Sequence, residues 1–369
     1  MSLRTFAPTK QNEPINMFTT NDLADQIWNE FIGLRHGTRN SFSSKAITYD
    51  IDQARVYFLD AIKSNWRSSG LLYYYSFLNL ARAHLISKKK VKSKATLLTP
   101  IYHGLRKSTN FFPNIMDFEV IIEPPIKNGF INIFSCFYET VTNQNWPFTT
   151  SITLNISDII GYCSDISGEL LNLFTIKREP MIVYSILRAD KSDNWLEYLV
   201  PDSKIITFLS NSGTYNLSTH KFLDLPPIPD QSDWRLVFPS IIFNQGVYSI
   251  LRSDRLQENP KNQKFLLNQA IANIGKNYSP CTTHTESNFE WLFMPDLTTN
   301  GKTIIWHSIF SDYIIAFALS TILRYQPQIL KNGTANSYIM EAWCNESSIT
   351  ALKYFLMLFT DPPRRLQKY

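Results

Sequence analysis

The sequence predicts an α+β protein, mainly helical, with a strand-rich insert in its middle. Apolar residues recur at helical spacing through 21–86, and the texture then turns to β-branched and aromatic runs between prolines from about 113. Long apolar helical stretches return at 303–325 and 337–359. With 44% hydrophobic and 18% charged residues, the 369-residue chain can bury a real core.

Residues 1–20 read as a polar, proline-bearing arm, and 21–112 as an N-terminal helical region. Thr20 or Asn21 offers an N-cap, Leu23, Ile27, Phe31 and Leu34 share a face, and Gly37 closes the helix. In 50–66 the same pattern places Ile51, Ala54, Phe58 and Ile62 together. Ser68-Ser69-Gly70 is expected to break the chain before the next helix, "LLYYYSFLNLARAHLI" (71–86). That helix is apolar nearly all round, so it belongs at the centre of a helical layer. It runs into "SKKKVKSK", expected to be a surface connection over 87–95 because clustered like charges repel.

The middle region, 113–250, reads as mixed or strand-rich and contains "FEVIIEPPIKNGFINIF", two strand-like runs around a hairpin signal. "PMIVYSILRADKSDNWLEYLVP" and "KIITFLSNSGTYNLSTHKFLDL" have the same character. A C-terminal helical region, 251–369, is expected to pack on the N-terminal helices through 260–278, 303–325 and 337–359. Pro362-Pro363 ends the last of these, and "RRLQKY" is a short basic tail.

Composition narrows the function classes. Only 12 glycines argue against a fold built on Gly-rich nucleotide loops, and a net charge of +5 is compatible with an anionic partner. Cys136, Cys163, Cys281 and Cys344 are dispersed, with no C-x-x-C pair for zinc or redox chemistry. The N-terminus has no apolar signal core, so a cytoplasmic protein with free thiols is expected. The stretch 303–323 is long enough for a membrane span but carries Asp312 near its middle, so it reads as a buried helix of a protein without a membrane. The P-loop, nucleophile-elbow and H-E-x-x-H signatures are missing, and no cofactor or metal is expected. His307 and Asp312, five apart, are not a clean same-face ligand pair.

Three stretches could carry chemistry. Asn79 and Arg82 share a helix face, with His84 at the helix end. Both could bind phosphate there, or Arg82 could tie the helix to its neighbours while His84 meets solvent. In "YHGLRKS" (102–108), the His103-Gly104 turn holds an imidazole near Arg106 and Lys107. His103 is the candidate acid or base and Arg106 the candidate charge stabiliser, with Lys107 as a phosphate contact. A histidine capping a carbonyl is the structural counterpart. In "LSTILRYQPQIL", Arg324 ends an apolar helix just before Pro327. It is a fourth phosphate contact, or a charge placed there by the helix dipole with Tyr325 packed over it.

These stretches together resemble the YaaC-like family of bacterial proteins. The resemblance rests on "LLYYYSFLNLARAHL", "HGL" about twenty residues on, and "ALSTILRYQPQIL", and it spans about 50–360. The helical hairpin is also similar to HEPN domains, which occur in RNases and phage-defence proteins. That second resemblance implies a HEPN-like helical layer. The HEPN arginine with a histidine four to six residues later has no counterpart here, which implies a divergent or non-catalytic relative. The expected function is that of a cytosolic defence-associated or nucleic-acid-facing protein with a basic phosphate-binding site, in catalytic form a divergent metal-independent RNase. RNA or another nucleic acid is the expected partner. The alternative is a non-catalytic scaffold or interaction subunit of a multiprotein complex, an antiphage one included, partnered by another protein or by its own copy as a dimer.

Overall fold

The computed structural model describes residues 20–35, 42–88, 101–127, 130–175, 181–189, 194–201, 223–224, 248–252, 278–285, 288–293 and 297–359. The chain forms two compact units, one holding 18–179 and 297–361 and the other centred on 180–296. It is α+β and mainly helical, with small sheets.

The first unit begins with α1 (Thr20–Arg35), α2 (Phe42–Lys63) and α3 (Trp66–Ser87). The expected break at Ser68-Ser69-Gly70 does not occur; these residues form the first turn of α3. Asn65 caps that turn, accepting the Arg67 backbone N–H at 3.0 Å. Gly70 is there for contact, not for a turn. A Cβ on it would stand 2.6 Å from Leu319 Cγ, so the bare backbone lets α7 (Ser308–Tyr325) approach closely.

Helix α3 is the centre of the layer, packed by α2, by α4 (Ile133–Thr142), by α7 and by α9 (Ser348–Phe359). Its three consecutive tyrosines face three neighbours, because successive helical residues point about 100° apart. Tyr73 reaches the Cys344 carbonyl at 3.1 Å, Tyr74 packs on Tyr313 and Phe317 of α7, and Tyr75 meets Tyr57 of α2. Phe77 and Phe137 both stack on Phe355, closing an aromatic core between α3, α4 and α9. Both long apolar helices are thus buried side by side, as the sequence predicts.

The expected helix over 303–325 is shorter than the apolar run. Strands β13 (Leu297–Thr299) and β14 (Lys302–Ile304) form a hairpin first, and α7 begins only at Ser308. Asn300 and Gly301 both have positive φ, the backbone of a tight two-residue hairpin turn. The 337–359 stretch is likewise divided, into α8 (Ala335–Ala342), a π-helical turn at Trp343–Ser347, and α9. No described helix is long and apolar enough to cross a membrane.

Two small sheets lie in the same unit. Strands β2 (Leu105–Lys107), β3 (Glu119–Ile122) and β6 (Ile152–Asn155) pair antiparallel, with Arg106 opposite Ile121. In the other, β1 (Ile101–Tyr102) runs parallel to β5 (Phe130–Asn132), which pairs with β4 (Ile126–Lys127). Pro124 and Pro125 separate β3 from the β4–β5 hairpin, so the two runs of "FEVIIEPPIKNGFINIF" enter different sheets. Short helices α5 (Ile156–Ile159) and α6 (Ser167–Leu173) follow β6. Residues 113–175, where short strands and helices alternate, therefore belong to the same compact unit as the long helices.

The second unit carries a six-stranded antiparallel sheet of β7 (Met181–Ala189), β8 (Asn194–Pro201), β9 (Leu223–Asp224), β10 (Tyr248–Arg252), β11 (Tyr278–Thr285) and β12 (Asn288–Phe293). Its order is β11-β12-β7-β8-β10-β9, with Tyr184 opposite Leu199 in the β7–β8 hairpin. The strand-rich character is here, and it continues past 250 through β12. Residues 1–19 of the arm, the basic tail, residues 260–277 of the helix expected over 260–278 and the lysines after Lys88 lie outside the described residues; Thr20 already opens α1, and Tyr278 opens β11 instead of ending a helix.

Candidate functional site

The six candidate side chains divide into two sets. Arg82 is committed to the fold: its guanidinium Nε donates to Asp50 Oδ2 at 2.8 Å and its second arm to Oδ1, with Asn79 Oδ1 at 3.1 Å. Asp50 is buried, and burial raises its carboxyl pKa despite the arginine beside it. His84 is not at the surface. It is 1% exposed, lies edge-on to Phe137 and Phe359, and neither ring nitrogen has a hydrogen-bond partner among the described residues. Burial, with a smaller effect of Lys88, lowers its pKa to about 4, so the ring is neutral. The reason is geometric: at the end of α3 the helix is still enclosed by α4 and α9, and a phosphate cannot reach it.

Arg106 is also engaged. It pairs with Glu123, whose other oxygen accepts from Ser151 Oγ at 2.6 Å. Side chains alternate along a strand, so Arg106 faces away from Lys107.

The remaining three converge. His103 sits between β1 and β2 at the point where the chain passes from one small sheet to the other. Gly104 makes that passage with φ +78°, and a Cβ there would stand 3.0 Å from Asn132 Cβ. The His103 carbonyl accepts the Phe134 N–H at 3.3 Å, fixing the loop to the start of α4. One side of the imidazole is covered by Tyr74, on which it stacks and whose Oη lies 2.6 Å from Nδ1, while the other side is exposed. Burial and then the charge of Arg324 lower the His103 pKa.

Arg324 reaches this point from the last turn of α7, which packs on β2. Its Nε donates to the Ser320 carbonyl at 2.9 Å, and its guanidinium lies 5.2 Å from the centre of the Tyr325 ring. Lys107 Nζ is 4.9 Å from the centre of the same ring. Tyr325 is 60% exposed, and neither cation has a carboxylate partner among the described residues. A side-chain hydrogen bond from Gln326 to the Asn110 carbonyl, at 3.5 Å, ties the helix end to the loop after β2.

Tyr74 is the contributor that the sequence did not reveal. It stands in a run of three tyrosines, and nothing local distinguishes the one that meets His103. Elsewhere, Asp312 is spent inside the protein, where Trp343 Nε1 and Cys163 Sγ donate to its Oδ1 at 2.9 and 3.3 Å. Among the described residues no three histidine, cysteine or acidic side chains come together to hold a metal.

Fold and site together define a mainly helical α+β protein that presents a small basic and aromatic patch from the junction of a helix end and two sheets. The chain belongs to the YaaC-like Protein family, whose model matches residues 16–358. No curated protein and no solved structure matches it.

Proposed function

We propose that this chain is a cytoplasmic, nucleic-acid-facing protein that holds a single-stranded segment through His103, Lys107 and Arg324. It binds without cutting. One observation carries the reading: two cations with no carboxylate partner among the described residues flank one exposed tyrosine ring, beside an imidazole. Phosphates take the charges, and a base has the Tyr325 ring to stack on, a contact worth about 1–3 kcal/mol per base. The cleavage expected from the sequence pairs His103 with Arg106, and Arg106 is occupied by Glu123 on the other strand face.

The test is fluorescence anisotropy with a labelled oligouridylate of about twelve nucleotides. Lys107→Ala/Arg324→Ala should weaken binding about tenfold or more, with the RNA intact on a denaturing gel after incubation. Equal binding by wild type and double variant would sink the proposal, and cut RNA would replace it with the RNase reading. An interaction subunit is the second reading, favoured by the exposed Tyr102, Phe111 and Ile126. It would be preferred if the oligonucleotide does not bind and His103→Ala leaves every measured property unchanged.

A further inference from the structure

The hydrogen bond under His103 constrains its chemistry. Tyr74 is buried, and among the described residues its hydroxyl has one hydrogen-bond partner, Nδ1 of His103 at 2.6 Å. A hydroxyl can donate one hydrogen and accept others. If Nδ1 carried the proton and donated, the buried Tyr74 hydrogen would have no acceptor, which is costly. Tyr74 therefore donates and Nδ1 accepts. In a neutral imidazole the proton then sits on Nε2, the nitrogen with no protein partner among the described residues.

We infer that Tyr74 is the positioning residue of this site, fixing His103 as the Nε2–H tautomer so that the ring offers a neutral N–H donor to a phosphodiester oxygen. A general base would need a lone pair at that nitrogen, and this tautomer has none there. His103 thus supplies a directed hydrogen bond, while Lys107 and Arg324 supply the charge. The stacking of the two rings, 5.6 Å between centres, holds the imidazole plane against rotation. The tautomer is a property of the free protein, and the phosphodiester ligand rests on the proposal above.

Long-range 1H–15N spectra of the labelled full chain at pH 7 test it, with His103 assigned by its disappearance in His103→Gln. The expected pattern has a bare, hydrogen-bonded Nδ1 and a protonated Nε2, and Tyr74→Phe should shift the Nδ1 resonance and let the Nδ1–H tautomer appear beside the other. Tyr74→Phe should also weaken oligouridylate binding about three- to tenfold, the loss of one neutral hydrogen bond's worth of positioning. His103→Gln, whose amide N–H can stand near Nε2, should bind better than His103→Ala. An Nδ1–H pattern in the wild type, or a pattern unchanged by Tyr74→Phe, overturns the inference. Should Tyr74→Phe not fold, the wild-type spectrum and the Gln/Ala pair decide alone. The expected tautomer in a protein that binds no oligonucleotide would overturn the nucleic-acid reading and leave the positioning role standing.

Discussion

Arg82 and Arg324 occupy similar places, each in the last turns of a long apolar helix, and they do opposite things. Arg82 meets the buried carboxylate of Asp50 and becomes a tie between α2 and α3. Arg324 meets the carbonyl and the hydroxyl of Ser320 in its own helix and the face of Tyr325, and its charge stays on display. The two histidines repeat the contrast. His84 is enclosed by phenylalanines, while His103 rests on a tyrosine with its far edge outward. Residue type was alike in each pair, and for the arginines helical position too; what differs is whether a neighbouring element covers the side chain. A polar residue on an apolar helix serves the fold when it is covered and is available to a ligand when it is not.

The largest expected effect comes from breaking the covered pair. Arg82→Ala leaves Asp50 buried without its partner and should cost about 2–3 kcal/mol in chemical denaturation, allowing for the partial exposure of the arginine. A loss under about 0.5 kcal/mol would place Arg82 with the displayed residues and dissolve the contrast.

The pH dependence is next in size. His84 and His307 are both held at about 4 by burial, below the ordinary 6.5, so between these values the unfolded chain binds more protons. Stability therefore falls as pH drops from about 6.5 to 4, by up to about 1.4 kcal/mol per pH unit for each histidine. Asp312 has the opposite sign. Burial lifts it to about 8 from 3.8, so the native state holds the extra proton and stability declines as pH rises through that window. Two histidines outweigh one aspartic acid below 6.5, and Asp312 acts alone from 6.5 to 8. Stability should thus peak near pH 6.5. Asp312→Asn should remove the decline above it, and His84→Leu should reduce the slope below it. A flat profile from pH 4 to 8 would contradict the burial of all three groups.

The displayed residues should barely affect folding. Arg324→Ala and Lys107→Ala should each change stability by less than about 1 kcal/mol. Each should reduce the slope of log affinity against log salt for a single-stranded oligonucleotide by about 0.7. A stability loss as large as that of Arg82→Ala would make Arg324 another tie. Smallest of all, Lys88→Ala at the exposed end of α3 should leave the melting curve within about 0.5 kcal/mol.

Periodicity in the sequence was enough to place both apolar helices in one layer, because a helix apolar on every side has no stable place except among other elements. The β7–β8 hairpin was legible for a similar reason, being two β-branched and aromatic runs between turn residues. Boundaries were less legible. Gly70 looks like a break until Leu319 is seen against it, and Asn300-Gly301 signals a hairpin that the apolar run after it obscures. The site shows the same division. Sequence identified His103, Lys107 and Arg324 as candidates because cations beside an imidazole at a helix end or turn suit an anion. It could not separate them from Arg82, His84 and Arg106, since the separating facts are Asp50, Phe359 and Glu123, between 17 residues from Arg106 and far further in the case of His84. The sequence by itself determined which residues carry charge and which helices must be buried, because both follow from side-chain chemistry and local spacing. Only the tertiary structure decided which charges are neutralised and which stay available, because a partner or a cover for each is supplied by a different segment of the chain.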